Sequence, residues 1–197
     1  IEHYPALLKE ILEENTNVDQ PFIVVLTLGR FNNAYYEHAF LAREMSVPLV
    51  TSRDLFVEND KVYVKTIRGR QHVDVIYRRV DDAYLDPLFR PDSHLGVACL
   101  LSAYLQHNVV IANAPGTGVA DDKSIYPYVD KMIDFYLGER AILKNVPTYQ
   151  CRNIQDLNYV LSNLAHLVVK ETQSSGGYGM LIGPQASKNQ IAAFKEK

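Results

Sequence analysis

The sequence predicts an α/β fold: a Rossmann-like sheet followed by a smaller α+β subdomain. Three observations carry this expectation. Short apolar runs alternate with helical patterns over residues 1–115, as in strands joined by crossover helices. The run Ile23-Val24-Val25-Leu26-Thr27-Leu28 is almost wholly apolar, as suits a strand covered on both faces. After the loop Asn113-Ala114-Pro115-Gly116-Thr117-Gly118 the style changes to helices around short strands and a glycine-rich loop, so a boundary is placed near residues 113–120.

Each element has a local reason. Residues 4–14 put Leu7, Leu8, Ile11 and Leu12 on one helical face. The strand at 23–28 ends at Gly29. A polar turn leads to a helix over 34–45, and Val47-Pro48-Leu49-Val50 starts a second strand. Residues 55–57 and 62–64 flank Asn59-Asp60, which tolerate the left-handed backbone of a tight hairpin. A strand at 73–78 runs into the turn Arg79-Val80-Asp81-Asp82, followed by a helix over 95–106 and a strand at 109–112. Asp121, Asp122 and Ser124 suit a helix start. That helix carries its apolar stripe from Ile125 to Leu137 and ends at Gly138. A strand at 146–149, a helix at 156–164, a strand at 166–170, a returning strand at 180–183 and a helix from 189, capped by Ser187, complete the chain.

Composition narrows the function. Of 197 residues, 47% are hydrophobic and 22% charged, and the net charge is −3, which argues against a nucleic-acid or anionic-membrane surface. No apolar run approaches the ~18 residues of a membrane span. Cys99 and Cys151 lack metal-site spacing, and a reducing cytoplasm is the expected location. The chain has no initiator Met and no secretory leader, which fits a fragment or a processed product.

Three constellations suggest chemistry. The first is Lys170 at a strand end, followed by Ser174, Ser175, Gly176, Gly177, Tyr178 and Gly179. Successive main-chain amides cradle phosphate oxygens, glycine allows close approach, and lysine adds a compact charge. The GxxxxGK[ST] spacing of a Walker loop is absent. A flexible hairpin with a solvated lysine is the alternative. The second is Arg78, Arg79, Asp81 and Asp82, where a parallel strand ends and ligands of open α/β sheets gather. Arginines there suit a carboxylate or acyl phosphate, and the aspartates suit an amine; an Arg–Asp brace is the alternative. The third is the loop Gly29-Arg30-Phe31-Asn32-Asn33 with Glu37 and His38, for which capping and packing compete with acid–base work.

The order of Asp122-Lys123, Val146-Pro147-Thr148, Val168-Val169-Lys170 and Ser174-Ser175-Gly176-Gly177-Tyr178-Gly179-Met180 resembles the first nucleotide-binding subdomain of ATP-grasp enzymes. Across nearly the whole chain, the strings LTLGRFNNAYYEHAFLAREM, VDVIYRRVDDAYLDPL, NAPGTGVADDKSIYPYV and VVKETQSSGGYGMLIGP resemble the bacterial circularly permuted ATP-grasp family, often labelled glutathionylspermidine synthase-like. The resemblance implies a pre-ATP-grasp substrate domain at 1–115 and an incomplete nucleotide-binding subdomain at 116–197. It implies ATP held by Lys123, Lys170 and residues 174–179. It also implies Mg2+ whose ligands lie outside this chain, since no Glu-x-Asn pair is evident here. The implied activity is carboxylate–amine ligation through an acyl phosphate in the intact protein. The implied partners are a small-molecule carboxylate and an amine or short peptide, with homo-oligomerisation left open. A non-catalytic scaffold or interaction module is the competing class.

Overall fold

The run at residues 23–27 becomes the inner strand of a parallel sheet, because both its faces find apolar cover. The structure is a computed structural model and describes residues 3–92, 94–174 and 177–196. It divides into two units, residues 1–117 and 118–197. The fold is mixed α/β with a parallel sheet.

In the first unit the order is α1 (Tyr4–Glu14), β1 (Ile23–Thr27), α2 (Tyr35–Glu44), β2 (Leu49–Val50), β3 (Leu55–Glu58), β4 (Lys61–Thr66), β5 (Gly69–His72), β6 (Val75–Arg79), α3 (Leu100–Leu105) and β7 (Val110–Ala112). The parallel sheet has the order β2-β1-β6-β7, and β3-β4-β5 form an antiparallel meander. Period-two alternation gives the sheet two distinct faces. On one, Ile23, Val25, Val75 and Tyr77 pack with Leu12 of α1 and Leu41, Ala42 and Met45 of α2. On the other, Val24, Leu26, Ile76 and Ile111 pack with Val62 and Val64 of the meander and Leu100 and Ala103 of α3.

Asn59 and Asp60 adopt φ of 52° and 56°, the tight turn that joins β3 to β4. Strand β5 escapes sequence reading because Gly69, Arg70, Gln71 and His72 show no apolar alternation; register with β4 alone defines it. The helix expected over 95–106 begins only at Leu100. Gly96 presses its main chain against the carbonyls of Tyr84 and Leu85, and Cys99 turns left-handed at φ 64°. The buried Asp86 carboxylate then accepts from Leu101 N at 2.9 Å, serving the free amide of the new helix.

In the second unit the order is α4 (Val129–Leu137), α5 (Ile154–Asn163), β8 (Val168–Val169), β9 (Leu181–Ile182) and α6 (Lys188–Lys195), with β8 and β9 antiparallel. Val160, Leu164 and Leu181 form its buried centre, flanked by Leu167, Val169 and Ile191. The helix expected from Ile125 starts as a 3-10 turn at Tyr126–Tyr128, with Pro127 in that turn, and becomes α-helical at Val129. Gly138 closes it in the left-handed conformation. No strand forms at 146–149. Pro147 offers no N–H, and the segment is pinned to the turn instead: Val146 N donates to Tyr126 Oη and Asn145 Nδ2 to Tyr126 O, both at 2.9 Å. The strand expected over 166–170 shrinks to two residues because 164–166 coil as a 3-10 turn. Ser187 and Gln190 cap α6 reciprocally. Among the described residues no helix is long and apolar enough to cross a membrane.

Candidate functional site

The second unit brings together two candidate segments that lie far apart in sequence. Lys123 N donates to Thr172 O at 3.1 Å. Its ammonium donates to the same carbonyl at 3.3 Å and to Ser174 O. The Asp-Lys helix approach is thus tied to the stem of the glycine loop. Asp122 is held below the usual carboxylate range by its hydrogen bonds from Ser124; desolvation opposes them, and Gln173 and Lys123 add lesser lowering effects. Ser124 N reaches Asp122 Oδ1 at 2.8 Å.

Within the loop, Ser174 Oγ donates to Tyr178 O at 2.8 Å. Gly177 and Gly179 adopt φ of 81° and 66°, a region that L side chains rarely enter. Gly179 also packs directly under the Glu171 carboxylate, in space a Cβ would fill. Tyr178 is exposed. Ser175 and Gly176 lie outside the described residues. Lys170 follows β8, is exposed, and has no hydrogen bond or ion pair among the described residues. One open ammonium beside a glycine-rich turn suits a polyphosphate. Divalent metal is a different case: among the described residues no group of three or more His, Cys, Asp or Glu side chains is placed to hold one.

In the first unit, the crossover from β1 leads to β2 while that from β6 leads to β7. Strand order therefore reverses between β1 and β6, and ligands of open α/β sheets bind outside the carboxyl ends at such a point. The final register pairs are Leu26 with Arg78 and Thr27 with Arg79. Alternation sends the two arginines to opposite faces, and their surroundings differ accordingly. Arg78 is 7% exposed. It donates to Asn113 O and Val80 O at 2.7 Å each and to Ala114 O at 3.2 Å. Its Nη1 also lies 2.7 Å from Asp82 Oδ1, a close charge contact and not an aligned hydrogen bond. Asp82 Oδ2 accepts from Gly116 N at 3.0 Å. Arg78 and Asp82 together brace the ends of β6 and β7. Asp81 stands before the 3-10 turn Asp82–Tyr84 with its side chain uncommitted to capping.

Arg79 faces α1 and α2. Its Nη2 donates to Glu37 Oε1 at 2.5 Å and its Nη1 to Tyr77 Oη at 3.4 Å. Beside it, His38 is 2% exposed, with Nδ1 2.8 Å from Thr27 Oγ1, and Gly29 N donates to that same hydroxyl at 3.1 Å. Burial, then Arg79, push the His38 pKa down against the pull of Glu37, so the ring is neutral near pH 7. Burial and the neighbouring Tyr77 raise that of Tyr4. Sequence reading set Arg79 beside Asp81 and Asp82 and left Glu37 in a separate group. The register between β1 and β6, which carries α2 to the same edge, joins Glu37 to Arg79; nothing in the local pattern signals that pairing.

The chain belongs to the circularly permuted ATP-grasp family, whose profile matches residues 1–197. An uncharacterised protein of Synechocystis is 52% identical over 200 residues, covering 100% of this chain and 42% of the relative. An uncharacterised Mycobacterium tuberculosis protein is 48% identical over 200 residues, covering 100% of this chain and 36% of its own length. A Frankia alni protein provisionally named glutamate–cysteine ligase 2-3 is 42% identical over 199 residues, covering 98% of this chain and 23% of its own. The chain spans less than half the length of the curated relatives it matches.

Proposed function

We propose that this chain is the ATP-gripping part of an ATP-dependent carboxylate–amine ligase. The first unit acts as a Rossmann-like pre-ATP-grasp substrate domain and the second as the first nucleotide-binding subdomain, incomplete by itself. The observation that carries this reading is the tie from Lys123 to the carbonyls of Thr172 and Ser174, which makes the Asp-Lys segment and the glycine loop one structural piece. Family membership supports it. So does the ligase name of the Frankia relative, although more than three-quarters of that relative lies outside the match.

When bound, ATP supplies the phosphoryl group that turns a carboxylate into an acyl phosphate open to attack by an amine. The chain's own residues position and neutralise. Lys170 offers an uncommitted ammonium to the phosphates. Gly177 and Gly179 let main-chain amides approach oxygen atoms closely. Lys123 holds the loop stem and retains donor capacity beyond its two carbonyls. Magnesium ligands would come from polypeptide outside these residues.

Glu171 favours a second reading. Its carboxylate sits against Gly179, a negative charge within the loop that opposes an anionic ligand. A scaffold with a degenerate clasp would show that arrangement. ADP release by the full-length polypeptide, tested with a panel of amino acids, polyamines and short peptides, separates the two. The ligase reading expects ADP release that requires both a carboxylate and an amine. ADP release by no pair above the ATP-only rate contradicts it and favours the scaffold.

A further inference from the structure

The two arginines at the end of β6 differ in how many of their donors are met. Arg78 is held by three carbonyl acceptors and a carboxylate in charge contact. Arg79 has fewer partners. A guanidinium has five N–H donors, and Arg79 has two partners, Glu37 at 2.5 Å and Tyr77 Oη at a long 3.4 Å. Its Nε and the second N–H of each Nη have no acceptor among the described residues. The side chain is 26% exposed and that of Glu37 55%, so the pair opens to solvent from a base formed by buried Tyr77, Thr27 and His38. An ordinary surface ion pair hangs on two mobile side chains. Here the arginine leaves the last residue of an inner strand, at the edge where strand order reverses, and lies against the Tyr77 ring. Its position is fixed while its donors stay open, as in a pre-organised carboxylate receptor.

We propose that Arg79 and Glu37 receive the two charged ends of an α-amino acid at the crevice outside β1 and β6, the carboxylate on Arg79 and the ammonium on Glu37. Adjacent positive and negative groups match a zwitterion whose own charges are separated by a single carbon. A free carboxylate without an ammonium would meet repulsion from Glu37, and a free amine would meet repulsion from Arg79. Neutral His38 below adds no competing charge. The assignment rests on the ligase reading and gives its substrate a class: an α-amino acid or a peptide end that retains both groups.

The test is calorimetric titration of the full-length polypeptide with L-alanine and L-glutamate, each against its des-amino partner, propionate or glutarate. The wild type is expected to bind the amino acids more tightly than the des-amino acids. Arg79→Gln should weaken the amino acids at least about tenfold, or 1.4 kcal/mol. Arg79→Lys, which keeps the charge but not the fork, should recover part of the loss and shows that the fold is intact. Glu37→Gln should weaken the amino acids and leave the des-amino acids unchanged or tighter. The proposal is overturned if neither amino acid binds, if Arg79→Gln binds as the wild type does, or if Glu37→Gln weakens both ligand classes alike. ATP titrated into the same full-length polypeptide keeps the readings apart: no ATP binding with amino-acid binding intact defeats the ligase reading alone, and the reverse defeats this assignment alone.

Discussion

Replacing Arg78 by Met should destabilise the first unit far more than the same change at Arg79. The two residues are adjacent and chemically identical, so the contrast isolates what the alternation of faces has done. Arg78 is 7% exposed and is hydrogen-bonded to the carbonyls of Asn113, Val80 and Ala114, with Asp82 in charge contact. Removing it leaves those acceptors and a carboxylate without their cation. Breaking a buried charge pair costs about 3–5 kcal/mol, and hydrogen bonds to a charged donor contribute about 1.5–3 kcal/mol each. Partial hydration of Asp82, whose side chain is 39% exposed, holds the total near the lower range, about 3–4 kcal/mol. Arg79 contributes one solvent-facing ion pair to stability, a class worth about 0–1 kcal/mol. Urea denaturation monitored by circular dichroism reads both. With a slope of about 2 kcal/mol/M, Arg78→Met lowers the midpoint by roughly 1.5–2 M and Arg79→Met by less than about 0.5 M. Equal midpoints, or a larger fall for Arg79→Met, refute the assignment of brace and receptor to the two arginines.

Other changes probe separate parts of the structure. His38 titrates below its ordinary value of 6.5, so the unfolded chain takes up its proton first. The histidine contribution to stability is complete above pH 6.5 and is lost as pH falls toward the lowered value. His38→Gln should flatten that part of the stability profile between pH 7 and 5, and superimposable profile shapes would contradict the burial argument. At Gly183, an added Cβ would collide with the Leu164 and Leu167 carbonyls, so Gly183→Ala should destabilise the second unit by about 2 kcal/mol or more, visible as a lower melting temperature. Lys123→Met should release the loop stem, and faster amide exchange across residues 172–180 is the expected signature; unchanged exchange there would mean the tie does not hold the loop.

Much of the fold was legible in local patterns. The strand at 23–27 and the Asn59-Asp60 hairpin follow from chemistry confined to a few neighbouring residues. What the sequence hid depends on distant contacts. Leu95 to Cys99 read as helix, yet close packing of Gly96 on the Tyr84 and Leu85 carbonyls delays the helix to Leu100. Residues 146–149 have strand-forming composition but bond to Tyr126. The contact between Lys123 and the loop stem had no local signal, since 49 and 51 residues separate the partners, and the family resemblance implied only that both serve ATP. Arg79 was visible as a candidate, but its partner was not: Asp81 and Asp82 are near in sequence, whereas Glu37 arrives through sheet register.

The most direct measurement of the clasp is calorimetric titration of ATP into the full-length polypeptide, wild type and Lys170→Ala. Lys170 is the one cation of the proposed clasp that stands open at the glycine loop among the described residues, while Lys123 is tied to carbonyls. The account predicts saturable ATP binding by the wild type and a loss of at least about tenfold in Lys170→Ala. Equal affinity in the two proteins would contradict it.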